Sequence, residues 1–178
     1  SFVQGLFERG IEAGIRYHGD GFNRSTQKRD LRIRAEYLLA HKVIFRKVRT
    51  MFGDRLRFCV GGGALLDVKQ QQFFSALGIP IFQGYGLTEA APVISSNLPS
   101  KHKFGTSGLV APSVECRIVG EDNEELPAGS RGEIVIRGNN VMKGYYKNPA
   151  ATKETIVDGW LHTGDLGYFD EDGFLVVV

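Results

Sequence analysis

The sequence predicts an α/β chain in two parts: helices with a short parallel sheet over residues 1–95, then a mostly antiparallel, β-rich part over residues 96–178. Three observations lead to that reading. Apolar residues recur at helical spacing in two early stretches. A short apolar strand then runs through a glycine turn into a helix and a second apolar strand. Beyond about Pro92 the pattern changes to short alternating strands separated by Gly, Pro, Asn and Asp.

The first helix is expected from Phe2 to Tyr17, where Phe2, Val3, Leu6, Phe7, Ile11 and Ile15 keep helical spacing. Gly5, Gly10 and Gly14 count against it, because glycine is a poor helix former. His18-Gly19-Asp20-Gly21 reads as the loop that ends it. A stronger helix is expected from Leu31 to Phe52, with Leu31, Ala35, Leu38, Leu39, Phe45, Val48 and Phe52 on one face and Gly53-Asp54 closing it. Leu56 to Val60 reads as a strand entering Gly61-Gly62-Gly63, followed by a helix from about Asp67 to Ala76 that Gly78 ends. Ile79 to Gln83 is the next strand, with Gly84-Tyr85-Gly86 after it. This is a βαβ pattern whose glycine turns fall at strand C-terminal ends, where open α/β sheets bind ligands. The change of texture sets a boundary between about Val93 and Thr106. Further strands are expected at Val114–Val119, Glu133–Arg137 and Phe174–Val178, with turns at Leu126-Pro127-Ala128-Gly129 and Asp170-Glu171-Asp172-Gly173.

Composition excludes some classes. Hydrophobic content of 42% with 24% charged residues is that of a globular protein, not a disordered one. No stretch approaches the roughly 20 apolar residues of a membrane span, and the start of the chain has no signal-peptide pattern. Cys59 and Cys116 lie far apart in apolar runs, which predicts buried, reduced thiols and a cytoplasmic setting. Charge is uneven. Of 22 basic and 20 acidic residues, eleven and three fall between Arg24 and Arg57, leaving eleven and seventeen elsewhere. The basic segment reads either as a solvated helix face or as a peripheral contact with anionic membrane. It has no aromatic platform that would favour nucleic acid. The uncapped start and the strand-like end, Leu175 to Val178, lead us to expect an internal piece of a longer protein.

Four motifs carry chemistry. In Gln83-Gly84-Tyr85-Gly86-Leu87-Thr88-Glu89 the glycines let backbone approach a ring or phosphate, and Tyr85 suits stacking on a base. Thr88 offers a hydroxyl to a phosphate oxygen, and Glu89 is a hard oxygen ligand of the kind Mg²⁺ takes alongside substrate phosphates. The alternative is a hairpin turn with a surface Tyr and Glu. Gly61-Gly62-Gly63-Ala64-Leu65-Leu66 lacks the GxxxxGK[ST] phosphate-loop signature. It reads as a flexible turn or as a flat contact for an adenine or an acyl chain. The segment from Gly132 to Gly138, with Val141 to Tyr146 and Asn148-Pro149, reads as strand and turn with packed aromatics. In Gly159 to Gly167 an Asp, Asp165, is suited to a ribose diol, and His162 is either a general base or a brace for the loop.

Together and in this order the motifs resemble the adenylate-forming superfamily: acyl- and aryl-CoA synthetases, luciferases and peptide-synthetase adenylation domains. The likeness covers nearly all of the chain from Phe58 onward. The Gln-Gly-Tyr-Gly-Leu-Thr-Glu run and the preceding Gly-Gly-Gly-Ala most resemble long-chain fatty acid–CoA ligases, as do the first fifty residues less specifically. The resemblance implies part of the large N-terminal domain of such an enzyme, ending before its hinge. It implies a reaction in which ATP and a carboxylic acid give acyl-adenylate and pyrophosphate, after which coenzyme A takes the acyl group. It places Tyr85 on adenine with Gly84 and Gly86 beside it, Gly63 and Ala64 along the adenine and acyl pocket, Thr88 at the α-phosphate, Glu89 on Mg²⁺ and Asp165 on the ribose hydroxyls. It makes Thr88 and Glu89 the catalytic pair.

The family's Ser/Thr/Gly-rich phosphate loop, hinge Asp-Arg and C-terminal lysine motif have no match in these residues; neither Lys143 nor Lys153 sits in such a motif. The 178 residues by themselves are therefore expected to be inactive. Two alternatives remain: a ligase for an aryl, amino or short-chain acid, and a noncatalytic nucleotide-binding module.

Overall fold

The computed structural model describes residues 2–22, 30–53 and 55–178, and its first element is the helix that the early spacing predicts, α1 (Phe2–His18). Its inward positions are small: Gly10, Ala13 and Gly14 are buried. A Cβ on Gly10 would strike Ala40 and Phe45, and one on Gly14 would strike Ala76 and Tyr37. Each glycine costs about 1 kcal/mol of helix propensity relative to alanine, and here each permits a helix crossing that no larger residue would allow. The partners are α2 (Leu31–Ala40) and α4 (Val68–Ala76).

The single helix expected from Leu31 to Phe52 is interrupted. After α2, with Asp30 as its N-cap, comes a π-helical turn at His41–Phe45 and then α3 (Arg46–Met51). The expected face is also corrected. Tyr37, Ala40 and Phe45 are buried, while Leu38 and Leu39 are 52% and 58% exposed. The close crossing over Gly10 and Gly14 accepts Ala40 and a flat tyrosine ring, so the inward stripe is turned away from the leucines. Tyr37 stacks on Tyr17 at 4.9 Å, and burial pushes its hydroxyl up to about 12. Phe7 meets Phe45 edge-on at 5.8 Å. Of the basic segment, Arg24, Lys28 and Arg29 lie outside the described residues, as does Asp54 of the expected helix stop.

The strand–helix–strand pattern is present with shifted bounds. β1 (Cys59–Gly61) is shorter and later than expected, and its Cys59 N–H donates to Pro80 O at 2.9 Å. In α4 the Asp67 carboxylate caps the helix by accepting from Lys69 N–H at 2.8 Å. β2 (Ile81–Gly86) contains the Gly84-Tyr85-Gly86 run inside the strand, where a turn beyond it was expected. The thiols are free, but neither cysteine is fully buried. Burial is still enough to push the Cys116 thiol up to about 12.

The chain forms two compact units. One comprises Ser1–Gly61, Leu66–Phe82 and Pro99–Gly105; the other comprises Gly62–Leu65, Gln83–Leu98 and Thr106–Val178. The changeover expected between Val93 and Thr106 is thus one stretch of a path that crosses repeatedly. In the second unit the later residues of β2 pair antiparallel with β3 (Val93–Ser96), and β3 pairs with β4 (Leu109–Val110).

A five-stranded antiparallel sheet follows. It is built from β5 (Val114–Val119), β6 (Gly132–Gly138), β7 (Ile156–Val157), β8 (Trp160–Phe169) and β9 (Leu175–Val177). The order is β5-β6-β8-β7, with β9 also against β8. Alternation puts Val114, Ile118, Ile134, Ile136, Leu161 and Leu175 into one core with Ala90 and Ile94. A short helix, α5 (Pro149–Thr155), precedes β7, with Asn148 as cap and Pro149 in its first turn.

Candidate functional site

The site lies in the second unit and is built by two irregular strand pairings. The first is at β2. Tyr85 faces Ser95 in β3, but Gly86 faces Val93, so the register shifts between them. Leu87 N–H then closes onto Pro92 O at 2.8 Å. Gly86 packs so tightly on the Pro92 carbonyl that no Cβ fits. The second is at β8. Glu133 faces Leu166 and Val135 faces His162, so β6 advances two residues where β8 runs four. Thr163, Gly164 and Asp165 therefore bulge opposite Ile134. Gly164 has φ +74°, a left-handed conformation that glycine adopts without strain. Thr163 Oγ1 donates to Ile134 O at 2.7 Å and accepts from Asp165 N–H at 3.1 Å.

The two irregularities meet. Tyr85 Oη donates to Asp165 Oδ2 at 2.7 Å, across 80 residues of sequence. Burial pushes the Tyr85 hydroxyl up, and the Asp165 carboxylate adds to this, so Tyr85 is a neutral donor. Around the pair opens a cavity of about 410 Å³, within the range of small-molecule clefts. Its wall includes Gly63, Ala64, Gly84, Tyr85, Gly86 and Asp165. All six were singled out from sequence as adenine, acyl-pocket or ribose positions.

Gln83, in the same motif, was not singled out. It is buried and lines the same cavity. Its Nε2 donates to Ala64 O at 2.6 Å, tying the glycine-rich loop to β2. Its Oε1 is buried with no hydrogen-bond partner among the described residues. A buried acceptor left open beside a cavity is costly unless a ligand donor meets it. The signal available from sequence was its place at the head of the Gly-Tyr-Gly run.

Thr88 and Glu89 stand apart from that wall. They form a single 3-10 turn after β2, Thr88 exposed and Glu89 half-buried. Glu89 is held by the segment after β6, whose aromatics were expected to pack. Tyr146 is instead 88% exposed. Tyr145 Oη donates to Glu89 Oε1 at 3.0 Å, Met142 N–H donates to Glu89 O at 2.7 Å, and Asn140 Nδ2 donates to Ala90 O at 2.9 Å. The Glu89 hydrogen bond raises the Tyr145 hydroxyl above its ordinary value. No local sequence pattern predicts a contact between positions 56 residues apart. Among the described residues no group of three or more His, Cys, Asp or Glu side chains gathers to hold a metal ion. A single half-buried carboxylate suits an ion carried mainly by substrate phosphates, the usual manner of Mg²⁺.

His162 is not part of the Tyr85–Asp165 cavity. Its Nδ1 meets Glu133 Oε2 at 2.8 Å, and it lines a separate depression with Arg117, Asp158 and Trp160. The Glu133 contact is of the kind that the brace reading expects.

Comparisons with known proteins give the family. Residues 23–146 match the family described as AMP-binding enzyme. A long-chain-fatty-acid–CoA ligase of Salmonella typhimurium is 42% identical over 125 residues, which are 69% of this chain and 22% of the ligase. An anthranilate CoA ligase solved with anthranoyl-AMP superposes with a TM-score of 0.64 at 29% identity, covering 68% of this chain and 24% of that one. An o-succinylbenzoate coenzyme A synthetase of Bacillus subtilis, solved with ATP and magnesium ion, gives 0.63 at 31% identity, covering 74% and 29%. The chain thus spans about a fifth of the curated ligase's length and 24% and 29% of the two solved chains'.

Proposed function

Because the chain belongs to the AMP-binding enzyme family, we propose that the protein carrying it is an ATP-dependent, AMP-forming long-chain fatty acid–CoA ligase. The observation that carries this reading is the cavity in which Gly63, Ala64, Tyr85 and Asp165 converge on an open Gln83 acceptor. A purine amino group is the donor that Gln83 Oε1 lacks. Tyr85 and the glycine backbone beside it supply a flat wall for the base, and the Asp165 carboxylate accepts from the ribose hydroxyls. Thr88 and Glu89 take the phosphate end, where Glu89 would hold Mg²⁺, an ion that would supply charge neutralisation at the substrate phosphates. Coenzyme A then takes the acyl group as thioester.

The fatty-acid assignment is supported by the 42% identity to a ligase of that name. A second reading, an aryl acid, draws on the anthranilate and o-succinylbenzoate enzymes among the structural relatives. Pyrophosphate exchange by the full-length protein, with long-chain, short-chain, aryl and amino acids in parallel, separates them. The highest kcat/KM is expected with long-chain acids. An aryl or amino acid preferred by tenfold would replace that substrate class, and no exchange with any acid would leave a noncatalytic nucleotide module.

Tyr145→Phe removes one hydrogen bond from a neutral hydroxyl to the Glu89 carboxylate and leaves the fold intact. It is expected to raise the Mg²⁺ concentration for half-maximal rate by about 2- to 5-fold, the scale of a single partly exposed hydrogen bond. A titration of rate against Mg²⁺ checks it.

We place the protein in the cytoplasm, peripheral to anionic membrane. Among the described residues no helix is long and apolar enough to cross a membrane. Leu38, Val43 and Met51 are exposed on the same helical run as Lys42, Arg46 and Lys47, a composition suited to anionic headgroups.

A further inference from the structure

We infer that Glu133 is a positioning residue for nucleotide recognition, acting through the β8 bulge. The inference rests on the proposed ribose role of Asp165. Glu133 belongs to β6 and faces Leu166, at the edge of the bulge. Its two carboxylate oxygens reach opposite sides of the irregular segment. Oε1 accepts the Gly164 N–H at 2.9 Å, and Oε2 meets His162 Nδ1 at 2.8 Å. Both residues of this contact are largely shielded, with side-chain exposures of 30% for Glu133 and 20% for His162.

The geometry explains why a carboxylate stands there. A bulge takes backbone out of the strand ladder, so its amides need other acceptors. Thr163 Oγ1 serves the Asp165 N–H, and Glu133 serves the Gly164 N–H beside it. Gly164 itself is in a left-handed conformation, which turns the peptide entering Asp165 out of the strand. Glu133 and Thr163 together set where the Asp165 carboxylate stands relative to Tyr85. Neither Glu133 nor His162 is part of the cavity wall, so the effect is exerted through Asp165.

A brace that only stabilised the sheet would alter activity toward every nucleotide alike. A positioning residue would alter discrimination at the ribose. The test uses the full-length protein, with ATP and 2′-deoxy-ATP compared in pyrophosphate exchange. In Glu133→Ala the preference for ATP is expected to fall about fivefold or more, mostly in KM, on the scale of one misplaced hydrogen bond to the diol. Glu133→Gln keeps an acceptor for the Gly164 N–H and should restore most of the preference. Loss of rate or thermal stability in Glu133→Ala with the wild-type ratio intact would overturn the inference. Should Glu133→Ala not fold, Glu133→Asp draws the carboxylate back by one methylene from the Gly164 N–H, and an unchanged ratio there overturns it equally. If Asp165→Ala leaves the ratio untouched, or the wild type uses both nucleotides equally, the ribose role of Asp165 is what fails.

Discussion

Glu89→Gln in the full-length protein is expected to lower kcat for ATP-dependent acyl–CoA formation by about 10²-fold, the scale of removing one preorganised electrostatic contact to developing charge. It is also expected to raise the Mg²⁺ requirement. The substitution is nearly isosteric. A carboxamide oxygen still accepts from Tyr145 Oη, which now lies at 3.0 Å from the carboxylate. The backbone carbonyl of residue 89 keeps its bond from Met142 N–H. The turn should therefore survive, and what is lost is the charge and ligand strength that a hard cation needs. A variant with wild-type turnover at low Mg²⁺ would remove Glu89 from the metal's path.

Asp165→Ala should lower kcat/KM for ATP by roughly 5- to 150-fold, corresponding to the 1–3 kcal/mol that follows loss of one partner in a shielded hydrogen bond. Two groups lose their acceptor at once: the ribose diol and Tyr85 Oη, whose bond to Asp165 is 2.7 Å long. Lys143→Ala is the control, since Lys143 is exposed on the loop after β6 and lines no part of the cavity. If Asp165→Ala tracks the Lys143 control, the nucleotide assignment of this cavity is wrong even though the family is right.

Much of this molecule can be read locally. Helical spacing locates α1, the alternation of β5 and β6 appears at their observed places, and Asp67 and Asn148 stand where helices need caps. The motifs proposed to bind nucleotide are likewise local, because a strand end flanked by glycines is defined within a few residues. Other features resisted such reading. The leucines of α2 look inward by periodicity yet face out, because the crossing at Gly10 and Gly14 admits only small or flat partners. The segment after β6 looks like a packed turn yet holds Glu89.

What the sequence by itself determined is the kind of elements, their order and the candidate residues for the proposed chemistry, since these depend on propensity, spacing and side-chain type within a few positions. Only the tertiary structure decided the register of the strands, and register decided the site. A two-residue excess in β8 against β6 carries Asp165 out of the ladder to meet Tyr85, and a carboxylate on the neighbouring strand anchors that excess. Such a contact forms across 80 residues of chain. It arises from how pleated strands pair, a property of two segments together that neither segment encodes alone.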